Sequence, residues 1–185
     1  MSALKNLKTI ILSSTLLIVA ACSAENAPDS TNATVLDQVS IKNQANPEPS
    51  IYTGGQPSQE ALTALSKAGV KHVINLRPLQ EQSKTQDWNE AEFVESLGMQ
   101  YHSIPVAGAA DVNLENATKL AELIKSIDGE ATFLHCASSN RVGALKALHE
   151  GAVNGVNSDQ AIVEGKRWGL GSLEPLVRDQ LNNPQ

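Results

Sequence analysis

Hydrophobic and polar positions follow three different rhythms along the chain. Residues 10–21 are mostly apolar and come just after two lysines, Lys5 and Lys8. Residues 23–49 (SAENAPDSTNATVLDQVSIKNQANPEP) are rich in Ser, Asn, Ala, Asp and Pro, a composition that buries little surface. From residue 51 onward, short β-branched runs alternate with segments whose apolar residues recur at helical spacing. Ile51-Tyr52 reads as a short strand, and Ser58 caps a helix running to about residue 68, where Gly69 stops it. Residues 70–76 read as a buried strand, 87–97 as a helix with an imperfect apolar face, and 99–106 as the next strand. Asn113 caps a helix carrying Leu114, Ala117, Leu120, Ala121 and Ile124, and Asp128-Gly129 ends it. A strand over 131–135 leads to helices over 141–154, 158–168 and 174–181. Strands alternating with helices predict an α/β fold: a central, mostly parallel sheet flanked by helices on both faces.

The same rhythms divide the chain into a leader (1–22), a flexible tether (23–49) and one domain (50–185). A few apolar residues between 35 and 41 are able to add a short strand or helix to the domain edge. The leader has the charged and apolar regions of an export signal and falls short of the roughly 20 apolar residues of a membrane span. It ends Val19-Ala20-Ala21-Cys22-Ser23. This resembles a bacterial lipoprotein signal, which implies lipid attachment at Cys22 and a membrane anchor on the periplasmic side. Ser23 resembles an outer-membrane sorting choice. The alternative is an ordinary signal peptide cut near Ala24, leaving a soluble periplasmic protein.

Composition narrows the picture. Hydrophobic residues make up 41% and aromatics only 3%, so the core is expected to be aliphatic. The formal net charge is −6, and losing Lys5 and Lys8 with a leader makes it more negative. Such a surface repels nucleic acid, and no nucleic-acid partner is expected. There are two cysteines. If Cys22 carries lipid, Cys136 has no disulfide partner in an oxidising compartment and is either an inert core thiol or a reactive one.

Its neighbours favour reactivity. In Phe133-Leu134-His135-Cys136-Ala137-Ser138-Ser139-Asn140-Arg141-Val142-Gly143, an apolar strand delivers a cysteine, a short loop of small residues follows, and an arginine opens a helix. Backbone N–H groups entering a helix form an anion cradle, and the same field favours the thiolate of Cys136. Arg141 can clasp two oxygens of an anion in a bidentate fork. Ala137, Ser138, Ser139 and Asn140 complete the binding loop, with Asn140 expected to steady it.

At this point the chain resembles the cysteine-based protein tyrosine and dual-specificity phosphatases, and more closely the bacterial beta-lactamase-hydrolase-like phosphatase group. Tyr52-Thr53-Gly54-Gly55-Gln56-Pro57-Ser58, Val73-Ile74-Asn75-Leu76-Arg77-Pro78 and Tyr101-His102-Ser103-Ile104-Pro105-Val106 are similar to that group's segments as well. The resemblance covers roughly residues 51–170 and implies a protein-tyrosine-phosphatase-like fold. It also implies a phosphorylated protein or small molecule as substrate, Cys136 as nucleophile forming a phosphocysteine, and Arg141 as the phosphoryl-binding group. It implies no cofactor, and the histidines His72, His102 and His149 show no metal-ligand spacing with Cys136.

Three features depart from that pattern. Four residues separate Cys136 from Arg141 where typical tyrosine phosphatases have five, a length shared with the bacterial group and similar to the shorter loops of rhodanese-type sulfurtransferases. Val142 stands where a hydroxyl residue usually assists breakdown of the intermediate. Ser139 stands where the bacterial group has Gly, and a left-handed backbone there is strained for serine. Asp111, the only acid in residues 107–112, is the candidate general acid, and equally a capping or solvated loop residue. His135 is expected to hold the loop, and Arg77 either to face the anion site or to pair with a nearby carboxylate. A sulfurtransferase using a Cys136 persulfide and a non-catalytic anion-binding module stay open beside the phosphatase.

Overall fold

Pairs of consecutive apolar residues, Ile51-Tyr52, Val73-Ile74 and Phe133-Leu134, place each inner strand between two apolar layers. The computed structural model describes residues 39–183. Their strands are β1 (Ala45–Glu48), β2 (Ile51–Gly54), β3 (His72–Asn75), β4 (Gln100–Ser103) and β5 (Thr132–His135). They form one sheet in the order β1-β2-β5-β3-β4, in which β1 is antiparallel and all other pairs are parallel. The helices are α1 (Gln59–Lys67), α2 (Leu79–Gln82), α3 (Glu90–Ser96), α4 (Leu114–Ser126), α5 (Asn140–Ala152), α6 (Ser158–Arg167) and α7 (Glu174–Asn182), with a 3-10 turn at Ala109–Asp111. Among the described residues no helix is long and apolar enough to cross a membrane.

Successive strand residues serve opposite faces, as the two-residue period demands. Tyr52, Val73 and Phe133 pack with Leu62 and Leu65 of α1 and Val94 of α3. Ile51, Ile74 and Leu134 pack with Leu120 of α4, Leu145 of α5, Ile162 of α6 and Val177 of α7. Each of these buried aliphatic side chains contributes roughly 1.5–3 kcal/mol relative to an exposed one. The expected caps form: Ser58 accepts from Ala61 N–H, and Asn113 accepts from Asn116 N–H at 3.0 Å. Trp168 is buried in the α4–α7 layer, and Trp88 stacks edge-on against Phe93.

The structure corrects the boundary between tether and domain. Residues 45–48, read as tether, form β1 on the sheet edge, and Ile41 is buried beside Tyr52. Ala-Asn-Pro-Glu has no strand-like alternation; its position comes from backbone pairing with β2, helped by Asn46 donating to the Ile51 carbonyl at 2.7 Å. The edge also tolerates Pro47, which lacks an N–H. The helix placed over 87–97 starts later, with Asn89 as its cap, and α2 and the 3-10 turn are additions. The leader, Cys22 and the tether up to residue 38 lie outside the described residues.

The parallel register aligns the carboxyl ends of the strands. Gly54, His135, Asn75 and Ser103 stand side by side in one row across β2, β5, β3 and β4. Ligand sites of such sheets lie just beyond that edge. Cys136 is the next residue.

Candidate active site

β5 carries Cys136 out of the sheet centre, and the following loop is held from both sides. Gln56 N–H donates to the Ala137 carbonyl at 3.4 Å, and Asn43 Nδ2 donates to the Ser138 carbonyl at 2.9 Å. The approach to the end of β2 is so close that a Cβ on Gly55 would stand 2.8 Å from the Ala137 oxygen. Ser139 then takes a left-handed conformation, with φ of 65°, and opens α5 without a side-chain cap. The first-turn N–H groups of α5 therefore have no acceptor within the helix and no cap, which leaves them for an anion.

The strain expected at Ser139 is met by a compensating contact. Its buried hydroxyl donates to the Trp168 carbonyl at 2.9 Å, and the next residue, Gly169, leaves room for it. A Cβ on Gly169 would sit 2.5 Å from the Ser139 Cβ, and Gly169 itself has φ of 101°. Asn140 ties the same region down: its Oδ1 accepts from Gly171 N–H at 2.8 Å, and its Nδ2 donates to Ser172 Oγ at 2.8 Å. One turn on, Gly143 allows α5 to touch α6, since a Cβ there would stand 2.5 Å from the Gly165 carbonyl.

Arg141 does not hang free over the loop. Its Nη1 and Nη2 donate to the two carboxylate oxygens of Glu81 at 2.8 and 2.7 Å, and Nη1 also donates to the Val106 carbonyl at 2.7 Å. Burial works against the guanidinium charge, but Glu81 and the Cys136 sulfur outweigh it and hold the group above its usual value. In return Arg141, aided by Arg77, holds the Glu81 carboxyl below the usual carboxylate range. Arg77 is buried and pairs with a carboxylate: its Nε donates to Glu81 at 2.9 Å, and its other nitrogens reach Thr85, Gln86 and Gln56.

A second carboxylate lies beneath. Glu90, 1% exposed, accepts from Gln56 Nε2 at 2.6 Å and Asn75 Nδ2 at 3.1 Å and faces His135 Nε2 at 2.6 Å. Burial pushes its carboxyl up, but His135, Gln56 and Arg77 together hold it below the usual range. Burial and Glu90 push the neighbouring Tyr101 phenol up to about 12. His135 also lies 3.4 Å from the Cys136 carbonyl through Nδ1, so it braces the loop base.

A cavity of about 240 Å³ opens above the loop, lined by Glu81, Ala107, Gly108, Ala109, Val112, Ser138, Asn140, Arg141 and Leu173. Asp111 belongs to the same 107–112 loop but does not line the cavity; its Oδ2 accepts from Ala107 N–H at 2.8 Å. A larger cavity of about 520 Å³ between α4 and α5 includes neither Cys136 nor Arg141, so the chemistry of the loop does not reach it. Neither Glu81 nor Glu90 emerges from sequence reasoning. Glu81 had a signal, the i,i+4 spacing from Arg77. Glu90 had none, because a first-turn helical glutamate normally faces solvent.

The fold is similar to that of several solved structures. The chain aligns over 77% of its length with a protein of Neisseria meningitidis z2491, covering 99% of that chain at 21% identity with a TM-score of 0.63. It aligns over 80% with a DUF442 candidate phosphatase of Shewanella putrefaciens CN-32, covering 95% of that chain at 22% identity and TM-score 0.59. The core catalytic domain of the PP-IP phosphatase SIW14 of S. cerevisiae matches 80% of this chain and 88% of its own, at 16% identity and TM-score 0.59. These likenesses establish a protein-tyrosine-phosphatase-like fold. No curated protein matches the chain. Residues 27–168 match the family described as DSP-PTPase phosphatase fused to NAD+ kinase, and the chain belongs to that family of phosphatases.

Proposed function

We propose that the protein hydrolyses phosphate monoesters through a phosphocysteine on Cys136. The observation that carries this is Arg141, whose guanidinium Glu81 holds in a fork at the uncapped start of α5, directly after the short loop that follows Cys136. The Cys136 thiolate attacks phosphorus, the P–O bond to the leaving group breaks, and the leaving oxygen takes a proton. Arg141 and the first-turn amides of α5 stabilise the charge on the equatorial oxygens. Water then attacks the phosphocysteine, releasing inorganic phosphate and the thiolate. Asp111 is the proton donor in the first step and the acceptor in the second. It must first release Ala107 N–H, and the small residues around it allow that movement.

The closer likeness to the beta-lactamase-hydrolase-like group, with its four-residue loop, supports the same reading. Val142 is buried in the same core cluster as Cys136 and brings no hydroxyl to the intermediate. The test is mass spectrometry of the protein quenched during turnover of an aryl phosphate, and separately of thiosulfate. A phosphate adduct on Cys136 is expected. A persulfide instead, or aryl phosphate turnover that survives Cys136→Ser, ends the proposal. Export as a lipoprotein acylated at Cys22 is proposed on the leader motif, and the mass of the mature N-terminus tests it.

A further inference from the structure

We infer that this site takes substrates bearing a single phosphoryl group on an uncharged leaving group and discriminates against polyphosphorylated ones. The inference rests on the phosphatase reading above. Among the described residues lining the 240 Å³ cavity, Arg141 is the one cation. The phosphoryl group that reacts at Cys136 uses that cation, together with the amides at the start of α5.

A second phosphate on the same molecule finds nothing comparable. The rest of the wall adds the uncharged polar Ser138 and Asn140 to the apolar Ala107, Gly108, Ala109, Val112 and Leu173, and none of these offers a charged donor. Its other charged group is Glu81, whose carboxyl Arg141 keeps ionised and whose side chain is 32% exposed. A second phosphate would be stripped of water beside a like charge, with no compensating pair. Neither of the nearby cations, Arg77 and Lys42, lines the cavity. Arg77 is buried and spends its donors on Glu81, Thr85, Gln86 and Gln56. Lys42 is exposed, its carbonyl accepts from Gly55 N–H, and it does not line the cavity. The small apolar wall suits a neutral ring or alkyl leaving group. The net charge of −6 adds no long-range attraction for a polyanion.

The test compares kcat/KM for phenyl phosphate and 1,4-phenylene bisphosphate, which share a ring and differ by one phosphate. The bisphosphate is expected to be at least tenfold poorer despite offering two reactive groups, with the gap narrowing as salt rises. Ala109→Lys, which supplies a cation to the wall, is expected to shift the ratio at least fivefold toward the bisphosphate. Equal or better bisphosphate turnover by the unmodified protein overturns the inference, as does a ratio that Ala109→Lys leaves unmoved. A different outcome addresses the parent reading: if neither ester is hydrolysed, or Cys136→Ser retains the rate, the phosphatase proposal itself fails.

Discussion

Glu81 holds both terminal nitrogens of Arg141 in a fork, at 2.8 and 2.7 Å, while sharing one oxygen with Arg77 Nε at 2.9 Å. The anion-binding arginine is thereby aimed before any ligand arrives. It follows that Glu81 is a positioning residue acting through Arg141. Glu81→Gln keeps the shape but weakens the aim, and is expected to lower kcat/KM for an aryl phosphate about tenfold, or ~1.4 kcal/mol. Glu81→Asp, which keeps the charge, should recover part of the loss. A Glu81→Gln protein with unaltered kinetics would show that Arg141 needs no such support.

The Glu90–His135 pair makes a prediction about stability and pH. Glu90 is buried and accepts from Gln56 and Asn75 while facing His135, so Glu90→Ala strands three polar groups and is expected to cost about 3–5 kcal/mol. Its carboxyl is held lower in the folded protein than in the unfolded chain. That difference stabilises the fold above the ordinary carboxylate range and is lost as pH falls through the lowered value. Urea midpoints measured from pH 7 to pH 3 should fall less steeply for Glu90→Gln than for the unmodified protein.

Ser139 and Gly169 should behave as a coupled pair. Ser139→Gly relieves a left-handed serine, worth roughly 1–2 kcal/mol, and loses the hydroxyl bond to Trp168, worth about 1 kcal/mol. The two nearly offset, so thermal stability should barely change. Gly169→Ala forces a Cβ onto the serine side chain at 2.4–2.5 Å and is expected to destabilise by about 2–3 kcal/mol. The double variant should regain a substantial part of that loss; strict additivity in the cycle would rule out the contact as the cause.

Asp111→Asn tests the proton donor with leaving groups of different basicity. Loss of the acid should slow a phenyl or alkyl ester about 100-fold, within the usual range for general acids. A p-nitrophenyl ester, whose leaving group needs little protonation, should slow far less. If the Asp111→Asn variant matches the unmodified protein on both esters, the residue is a loop brace through Ala107 N–H and nothing more.

Buried Val142 predicts slow breakdown of the intermediate. Rapid-mixing experiments should show a burst of leaving group approaching one per protein, followed by slower turnover. Val142→Thr, nearly the same in shape, should raise the steady rate without changing the burst rate. Absence of a burst places the slow step before the phosphocysteine.

The parts of this protein that were legible in the sequence are contiguous ones. The strand, Cys136, the small loop, Arg141 and its helix are neighbours in the chain, so pattern and chemistry coincide there. The strain at Ser139 was legible for the same reason. Glu81 and Glu90 were not, because each meets its decisive partner, Arg141 or His135, 60 and 45 residues away. β1 stayed hidden because backbone pairing, not side-chain alternation, makes it a strand. Asp111 was visible as the single acid of its loop, but the 3-10 turn that directs its carboxylate to Ala107 was not.

The clearance at Gly143 bears on how this loop could have changed length. α5 lies so close to α6 that a single methyl at position 143 would meet the Gly165 carbonyl and the Leu170 backbone. The helix therefore cannot slide to absorb an added residue between Cys136 and Arg141. A fifth loop residue, as in typical tyrosine phosphatases, would have to bulge into the cavity above the loop. Lengthening this loop and keeping it open would require moving α6 first, so the four-residue spacing and the glycine contact behind it constrain each other as one trait.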